Sequence, residues 1–156
     1  MIIKSENEMI KLAYKSGDHL SKSIKENLVI YLSGDLGSGK TTFTKGLIRG
    51  LGFDGLVTSP TFSLVERIET KFFLILHIDL YRLDRAEEII ELELHEEPKY
   101  SKPSIMIIEW PEKGHSLILR PDIEIRFEIN KIKDQRQIEL KDGTNKLGNA
   151  FNNWVE

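Results

Sequence analysis

The spacing of apolar positions divides the chain into two regimes. Up to about residue 120, short apolar runs alternate with stretches of helical period. After Pro121 the period changes to two. Ser5 and Glu8 form a Ser-x-x-Glu capping signature. Met9, Leu12, Ala13, Leu20 and Ile24 then recur at intervals that share one helix face, so a helix is predicted over residues 6–24. Gly17 is a mild weakness within it. Residues 28–32 are a short apolar run and predict a buried strand. Residues 40–51 place Phe43, Leu47 and Leu51 on one stripe, and Gly52 stops that helix. Residues 62–68 alternate weakly and predict a further strand. Residues 72–79 and 105–109 are apolar runs that each end in an acid, Asp79 and Glu109. Between them, Ile89, Ile90 and Leu94 give residues 86–94 a helical period.

Beyond Pro121, Ile123, Ile125, Phe127 and Ile129 alternate with Glu124, Arg126 and Glu128. Ile138 and Leu140 resume the pattern after a charged turn at Lys133 and Asp134. This predicts an antiparallel hairpin with one wet face. Leu147, Ala150, Phe151 and Trp154 predict a last short helix. Strand–helix alternation followed by a hairpin predicts a three-layer α/β fold, mostly parallel, with the C-terminal antiparallel hairpin at its edge. A length of 156 residues suits one domain, residues 1–156.

Composition narrows the function classes. The net charge of −3 argues against broad phosphate contact with a nucleic acid. With no cysteine, disulfides, thiolate metal ligands and thiol nucleophiles are excluded. The N-terminus lacks a signal-peptide pattern. The longest apolar stretch, residues 72–78, is interrupted by His77 and is far short of the roughly 20 residues that span a bilayer. A cytoplasmic chain without membrane attachment is expected.

The chemistry is concentrated where the first strand ends. Gly34-Asp35-Leu36-Gly37-Ser38-Gly39-Lys40-Thr41 is a Gly-x4-Gly-Lys-Thr phosphate-binding loop between an apolar strand and an amphipathic helix, the context this motif requires. A triphosphate concentrates negative charge, so binding it takes many donors at close approach. Glycines let the backbone turn its N–H groups inward. The helix N-terminus adds partial positive charge. Lys40 is expected on the β- and γ-phosphates, the Thr41 hydroxyl on Mg2+, and Thr42 near the α-phosphate. The fold is thus expected to be that of a P-loop NTPase, with a nucleoside triphosphate and a magnesium ion as its ligands.

A P-loop also needs an acid on a neighbouring strand for the metal or its waters. Asp79 and Glu109 both qualify, since both are expected at the carboxyl edge of the sheet. Spacing does not rank them. His77 shares a strand face with Asp79 and reads either as a site residue or as a core histidine with a hydrogen-bond partner. Trp110 reads either as a cover over the site or as a packing residue.

Four blocks in order extend the motif: the P-loop through Thr42-Phe43, then Ser59-Pro60-Thr61-Phe62-Ser63-Leu64-Val65-Glu66, then His77-Ile78-Asp79-Leu80-Tyr81-Arg82-Leu83, then Ile108-Glu109-Trp110-Pro111-Glu112. In these blocks, and over roughly residues 5–140, the chain resembles the TsaE (YjeE) family. These are small bacterial ATPases of tRNA threonylcarbamoyladenosine synthesis.

The resemblance implies site roles. Glu109 and Thr41 are metal ligands. Asp79 lies beside the phosphates and is needed for hydrolysis. Thr61 lies in a switch-like loop near the γ-phosphate. Ser5 and Arg136 border the base, and Asp35, Gly37, Ser38, Gly39 and Thr42 belong to the nucleotide cradle. Ser38 stands where alanine is common, a change expected to matter little. The resemblance also implies TsaD and TsaB homologues as partners, tRNA contact only through that complex, and ATP turnover that resets the complex without performing the transfer.

Three other readings compete. A small-molecule kinase shares the loop and the size, but no arginine-rich lid segment is evident; Arg82 and Arg85 are the candidates for recruitment to one. A GTPase is opposed by Asn130-Lys131-Ile132-Lys133-Asp134, one residue too long for the guanine-reading motif. A non-hydrolysing binding module is opposed by Lys40, Thr41 and the two strand-end acids together.

Overall fold

The apolar run at residues 28–32 becomes the middle of a sheet. In the computed structural model, described for residues 1–132 and 134–144, seven strands and three α-helices form among the described residues. In chain order they are β1 (Ile2–Ile3), α1 (Glu6–Ser23), β2 (Leu28–Gly34), α2 (Lys40–Gly50), β3 (Val65–Glu69), β4 (Leu74–Asp79), α3 (Ala86–Glu91), β5 (Ser104–Glu109), β6 (Ile123–Asn130) and β7 (Gln135–Asp142). The helix expected over residues 147–154 lies outside the described residues.

The sheet order is β1-β7-β6-β2-β5-β4-β3. The inner strands β6, β2, β5 and β4 are mutually parallel. β4 and β5 are buried at every residue, which is why they read as unbroken apolar runs. Antiparallel pairing occupies both sides of this parallel centre, not one. β3 joins β4 through a tight turn in which the Thr70 N–H donates to the Phe73 carbonyl at 2.9 Å, and a turn this short permits only antiparallel pairing. On the other side, β6 of the predicted hairpin belongs to the parallel centre, while β7 and β1 lie beyond it.

Side chains of the inner strands alternate between two cores. Ile30, Leu32, Ile75, Ile105 and Ile107 face α1 and α2. Val29, Leu76, Ile78, Met106 and Ile108 pack with Ile89, Leu94 and Ile118 on the opposite side. α3 ends at Glu91, short of the expected residue 94, and Glu93 has a φ of 53°. No helix among the described residues is long and apolar enough to cross a membrane.

Gly17 is not a weakness. A Cβ there would lie 2.2 Å from the Leu47 carbonyl oxygen, and one at Gly50 would lie 2.1 Å from the Tyr14 carbonyl oxygen. Both helices lack side chains where they meet, so their backbones touch. That contact fixes α2, and with it Lys40 and Thr41, relative to the strand ends. The N-terminus is pinned separately. The Met1 ammonium donates to the Ile138 carbonyl at 2.8 Å, and the Ile138 N–H donates to the Met1 carbonyl at 2.8 Å. Ile3 therefore pairs with Arg136, and the start of α1 stands beside β7.

Gly17→Ala forces the two helices apart. The expected loss is about 1–3 kcal/mol by overpacking, read as a lower midpoint in thermal unfolding. An unchanged midpoint would show that the helix contact is not tight.

Candidate functional site

β2 ends in Gly34, whose φ of 138° and whose contact with β6 both require glycine: a Cβ would lie 2.3 Å from the Phe127 carbonyl oxygen. The chain then turns through residues 35–38 and enters α2 from Gly39, a left-handed N-cap at φ 105°. A glycine cap leaves the first N–H groups of α2 without a side-chain partner, as an anion cradle needs. The Lys40 ammonium donates to the carbonyls of Gly34 at 2.5 Å and Asp35 at 2.9 Å, and lies 3.9 Å from the centre of the Trp110 ring. Burial pushes Lys40 below its ordinary pKa, while the carboxylates of Glu109, Glu112, Asp79 and Asp35 pull the other way.

Parallel pairing puts the two strand-end acids side by side, Asp79 opposite Glu109. Their surroundings differ. Glu109 is 1% exposed and accepts three hydrogen bonds. The Thr41 hydroxyl donates to Oε2 at 2.8 Å, the single hydrogen of the Thr44 hydroxyl is shared between Oε1 and the Lys40 carbonyl, each at 3.0 Å, and His77 Nε2 lies 2.9 Å from Oε1. Asp79 accepts from the Ser59 hydroxyl at 3.1 Å and from the Tyr81 N–H at 3.0 Å. Glu109 thus touches α2, and Asp79 touches the loop before β3. His77 is a fully buried histidine, and its hydrogen-bond partner is Glu109.

A hydroxyl and a carboxylate oxygen in contact at the head of a P-loop are hard oxygen donors, and Mg2+ takes one or two such groups together with phosphate oxygens and waters. Among the described residues no group of three or more His, Cys, Asp or Glu is placed to hold a metal. The donor set therefore fits Mg2+ shared with phosphates better than a metal in an all-protein cage.

Two adjoining clefts divide the expected residues. One, of about 350 Å³, is lined by Ser38, Lys40, Thr41, Thr61, Asp79 and Glu109. The other, of about 380 Å³, is lined by Ser5, Met9, Asp134 and Arg136. Gly37, Gly39 and Thr42 border both, so the clefts meet at the loop. Ser5 serves as N-cap of α1, its hydroxyl accepting the Glu8 N–H at 3.2 Å. Arg136 donates to Asp134 at 2.9 Å. The Thr61 hydroxyl lies 3.0 Å from that of Ser59. Asp35 is exposed and borders neither cleft; its part in the loop is its carbonyl, which accepts from Lys40 and from the Ser38 N–H. Trp110, a half-buried residue at φ 59°, borders the first cleft and packs on Tyr81 with ring centres 5.0 Å apart.

Sequence reading missed two neighbours, Thr44 and Asp134, and gave a third, Arg82, only as a lid residue of the competing kinase reading. Thr44 lies three residues after Thr41, so it shares the helix face turned to the sheet, and that spacing was the available signal. Asp134 belongs to the hairpin turn, and only pairing of β1 with β7 brings it to the cleft. Arg82, whose guanidinium stacks 4.6 Å from the centre of the Phe62 ring, also lines the first cleft.

A parallel-centred sheet with a glycine-capped loop and two acids at one edge makes a mixed α/β protein that fits the P-loop type of fold. The fold agrees with the crystal structure of Bacillus subtilis YdiB, at a TM-score of 0.74 and 22% identity, covering 99% of this chain and 92% of that one. The model of the TsaE family, described as threonylcarbamoyl adenosine biosynthesis protein TsaE, matches residues 3–138. The chain is 39% identical to the tRNA threonylcarbamoyladenosine biosynthesis protein TsaE of Haemophilus influenzae, over 97% of this chain and 96% of that one. It is 38% identical to the Rickettsia felis protein of the same name, over 83% and 72%. The chain belongs to the TsaE family.

Thr44→Val removes one of the three donors from the buried Glu109 carboxylate. The expected cost is about 1.5–3 kcal/mol, the range for a hydrogen bond to a charged group, with Thr44→Ser recovering most of it. Urea unfolding measures both; equal stability of the valine variant and wild type would mean the hydroxyl is dispensable.

Proposed function

We propose that this chain is a magnesium-dependent ATPase acting as an accessory protein in the synthesis of threonylcarbamoyladenosine on tRNA. One observation carries the reading. A P-loop lysine, the hydroxyl that follows it and a buried strand-end carboxylate converge within one cleft, with Thr41 and Glu109 already 2.8 Å apart.

In this reading the loop N–H groups and the α2 N-terminus hold the phosphates, and Thr42 borders the α-phosphate. Lys40 exchanges its loop carbonyls for the β- and γ-phosphates, whose negative charge favours its ammonium form. Thr41 and Glu109 hold Mg2+, which when bound neutralises charge shared by the β- and γ-oxygens. Asp79, bonded to Ser59, links the loop carrying Thr61 to the γ-phosphate edge, where Thr61 orients the attacking water. Ser5 and Arg136 border the base.

The partners are TsaD and TsaB homologues. The tRNA is reached only through that complex, which fits a chain of net charge −3. The chain does not transfer the threonylcarbamoyl group. Its ATP cycle resets the TsaB–TsaD complex between turnovers, and the protein works in the cytoplasm, where its tRNA substrate complex is.

Variants, substrate assays and partner association test this. Lys40→Ala is expected to abolish hydrolysis and weaken ATP binding at least tenfold in calorimetry. Glu109→Ala is expected to lower Mg2+-dependent turnover by about two orders of magnitude while leaving metal-free nucleotide binding nearly intact. Equal turnover of Glu109→Ala and wild type moves the metal to Asp79. Steady phosphorylation of a metabolite by the protein alone supports the kinase reading instead, and tighter GTP than ATP binding supports the GTPase. Co-purification with TsaB and TsaD is expected to depend on ATP; association indifferent to nucleotide overturns the accessory role.

A further inference from the structure

On the face of the sheet that meets α2, β4 carries Ile75, then His77, then Asp79. The neighbouring strand β5 carries Ile105, Ile107 and Glu109 on the same face. This surface is apolar except at its carboxyl end. His77 lies one step deeper than the acids, at 0% exposure, where an isoleucine or leucine would continue the core.

The imidazole makes one hydrogen bond, from Nε2 to Glu109 Oε1 at 2.9 Å. Nδ1 is buried without a hydrogen-bond partner, and the nearest carboxylate on that side, Glu66 Oε2 on β3, is 4.0 Å away. A buried polar atom left unsatisfied is costly. The chain keeps this cost for a ring whose single bond goes to the carboxylate that faces Thr41.

The geometry of Glu109 explains the benefit. An ionised carboxylate only accepts, so Nε2 must carry the hydrogen. His77 and Thr44 both engage Oε1. The opposite oxygen, Oε2, is left facing the Thr41 hydroxyl at the mouth of the loop. Two donors on one oxygen fix the rotation of the carboxylate and leave the other oxygen for the cation. Outer partners of metal-binding carboxylates act in this way, and losing one costs roughly 10–100-fold in metal affinity or activity.

We propose that His77 is a positioning residue for the magnesium site, orienting Glu109 through an Nε2–H donor while Oε2 meets the metal. The proposal rests on the reading of the cleft as a magnesium–nucleotide site. His77 touches no phosphate and no attacking water; it acts through Glu109.

The test is ADP binding by calorimetry, in Mg2+ and in EDTA, for wild type, His77→Leu and His77→Gln. Leucine fills the space and removes the donor, whereas the glutamine amide reaches the position of Nε2. In Mg2+, His77→Leu is expected to bind ADP roughly 10–100-fold more weakly than wild type, with His77→Gln recovering most of the loss. In EDTA all three are expected to agree within about twofold. A leucine variant with wild-type affinity in Mg2+, or with equal losses in Mg2+ and EDTA, overturns the role. Wild-type binding that is itself indifferent to Mg2+ instead overturns the reading of the site beneath it.

A measurement on the unaltered protein guards against a variant that does not fold. Nitrogen-15 spectra of the imidazoles are expected to show His77 with its hydrogen on Nε2, and a Mg2+-ADP shift that metal-free ADP does not reproduce. Hydrogen on Nδ1 alone, with Nε2 bare, overturns the proposal.

Discussion

A carboxylate held out of water under a helix N-terminus organises this structure. Glu109 is 1% exposed, and a charge so placed is tolerable only if donors surround it. Thr41 and Thr44 approach from α2 and His77 approaches from β4, so the residue ties a helix and two strands into one network. Its cost is what makes it informative. An apolar residue at the end of β5 would pack without three supporting polar side chains, so their joint presence points to a task that needs an oxygen anion at that point.

The fold delivers those groups through backbone contact. α2 packs on the inner strands through Phe43, Leu47 and Ile48 and meets α1 backbone to backbone where both lack side chains, at Gly17 and Gly50. The sheet contributes the other half. With β5 inserted between β2 and β4, the loop after β2 and the acids ending β4 and β5 share one edge. An open parallel sheet binds ligands at the carboxyl ends of its strands, where the order of connections reverses. Here β2 leads through α2 toward β4, while β5 leads back to β6 on the other side, and the P-loop lies at that reversal.

What the sequence disclosed follows from range. The loop, its strand and its helix are contiguous, so residues 28–51 were legible from spacing alone. Asp79 and Glu109 were legible as strand-end acids, because apolar runs that stop at an acid announce a buried strand reaching an edge. Their division of labour was not, since it depends on which acid faces α2. Gly17 was misread because propensity prices a glycine by its own helix, while here its value lies in the neighbouring one. The strand expected from residue 62 begins only at Val65, after Leu64 takes a φ of 62° that no alternation of apolar residues encodes. Asp134 and Arg136 reach the second cleft through pairing of the first residues with the last strand, a contact across more than 130 positions.

The two acids show why register alone does not settle roles. Asp79 and Glu109 are paired residues on adjacent strands, yet they engage different parts of the molecule. Side-chain length accounts for the difference. Glu109 has the extra methylene, and its oxygens reach Thr41 and Thr44 in the first turns of α2. Asp79 is shorter, and its oxygens stay near the strand end, on the Ser59 hydroxyl and the Tyr81 N–H. On the proposed reading, the longer acid answers to the metal and the shorter one to the loop that carries Thr61. A chain with the two exchanged would keep the charge and the register, yet lose both sets of partners. The reach of each side chain, more than its charge, sets what it does.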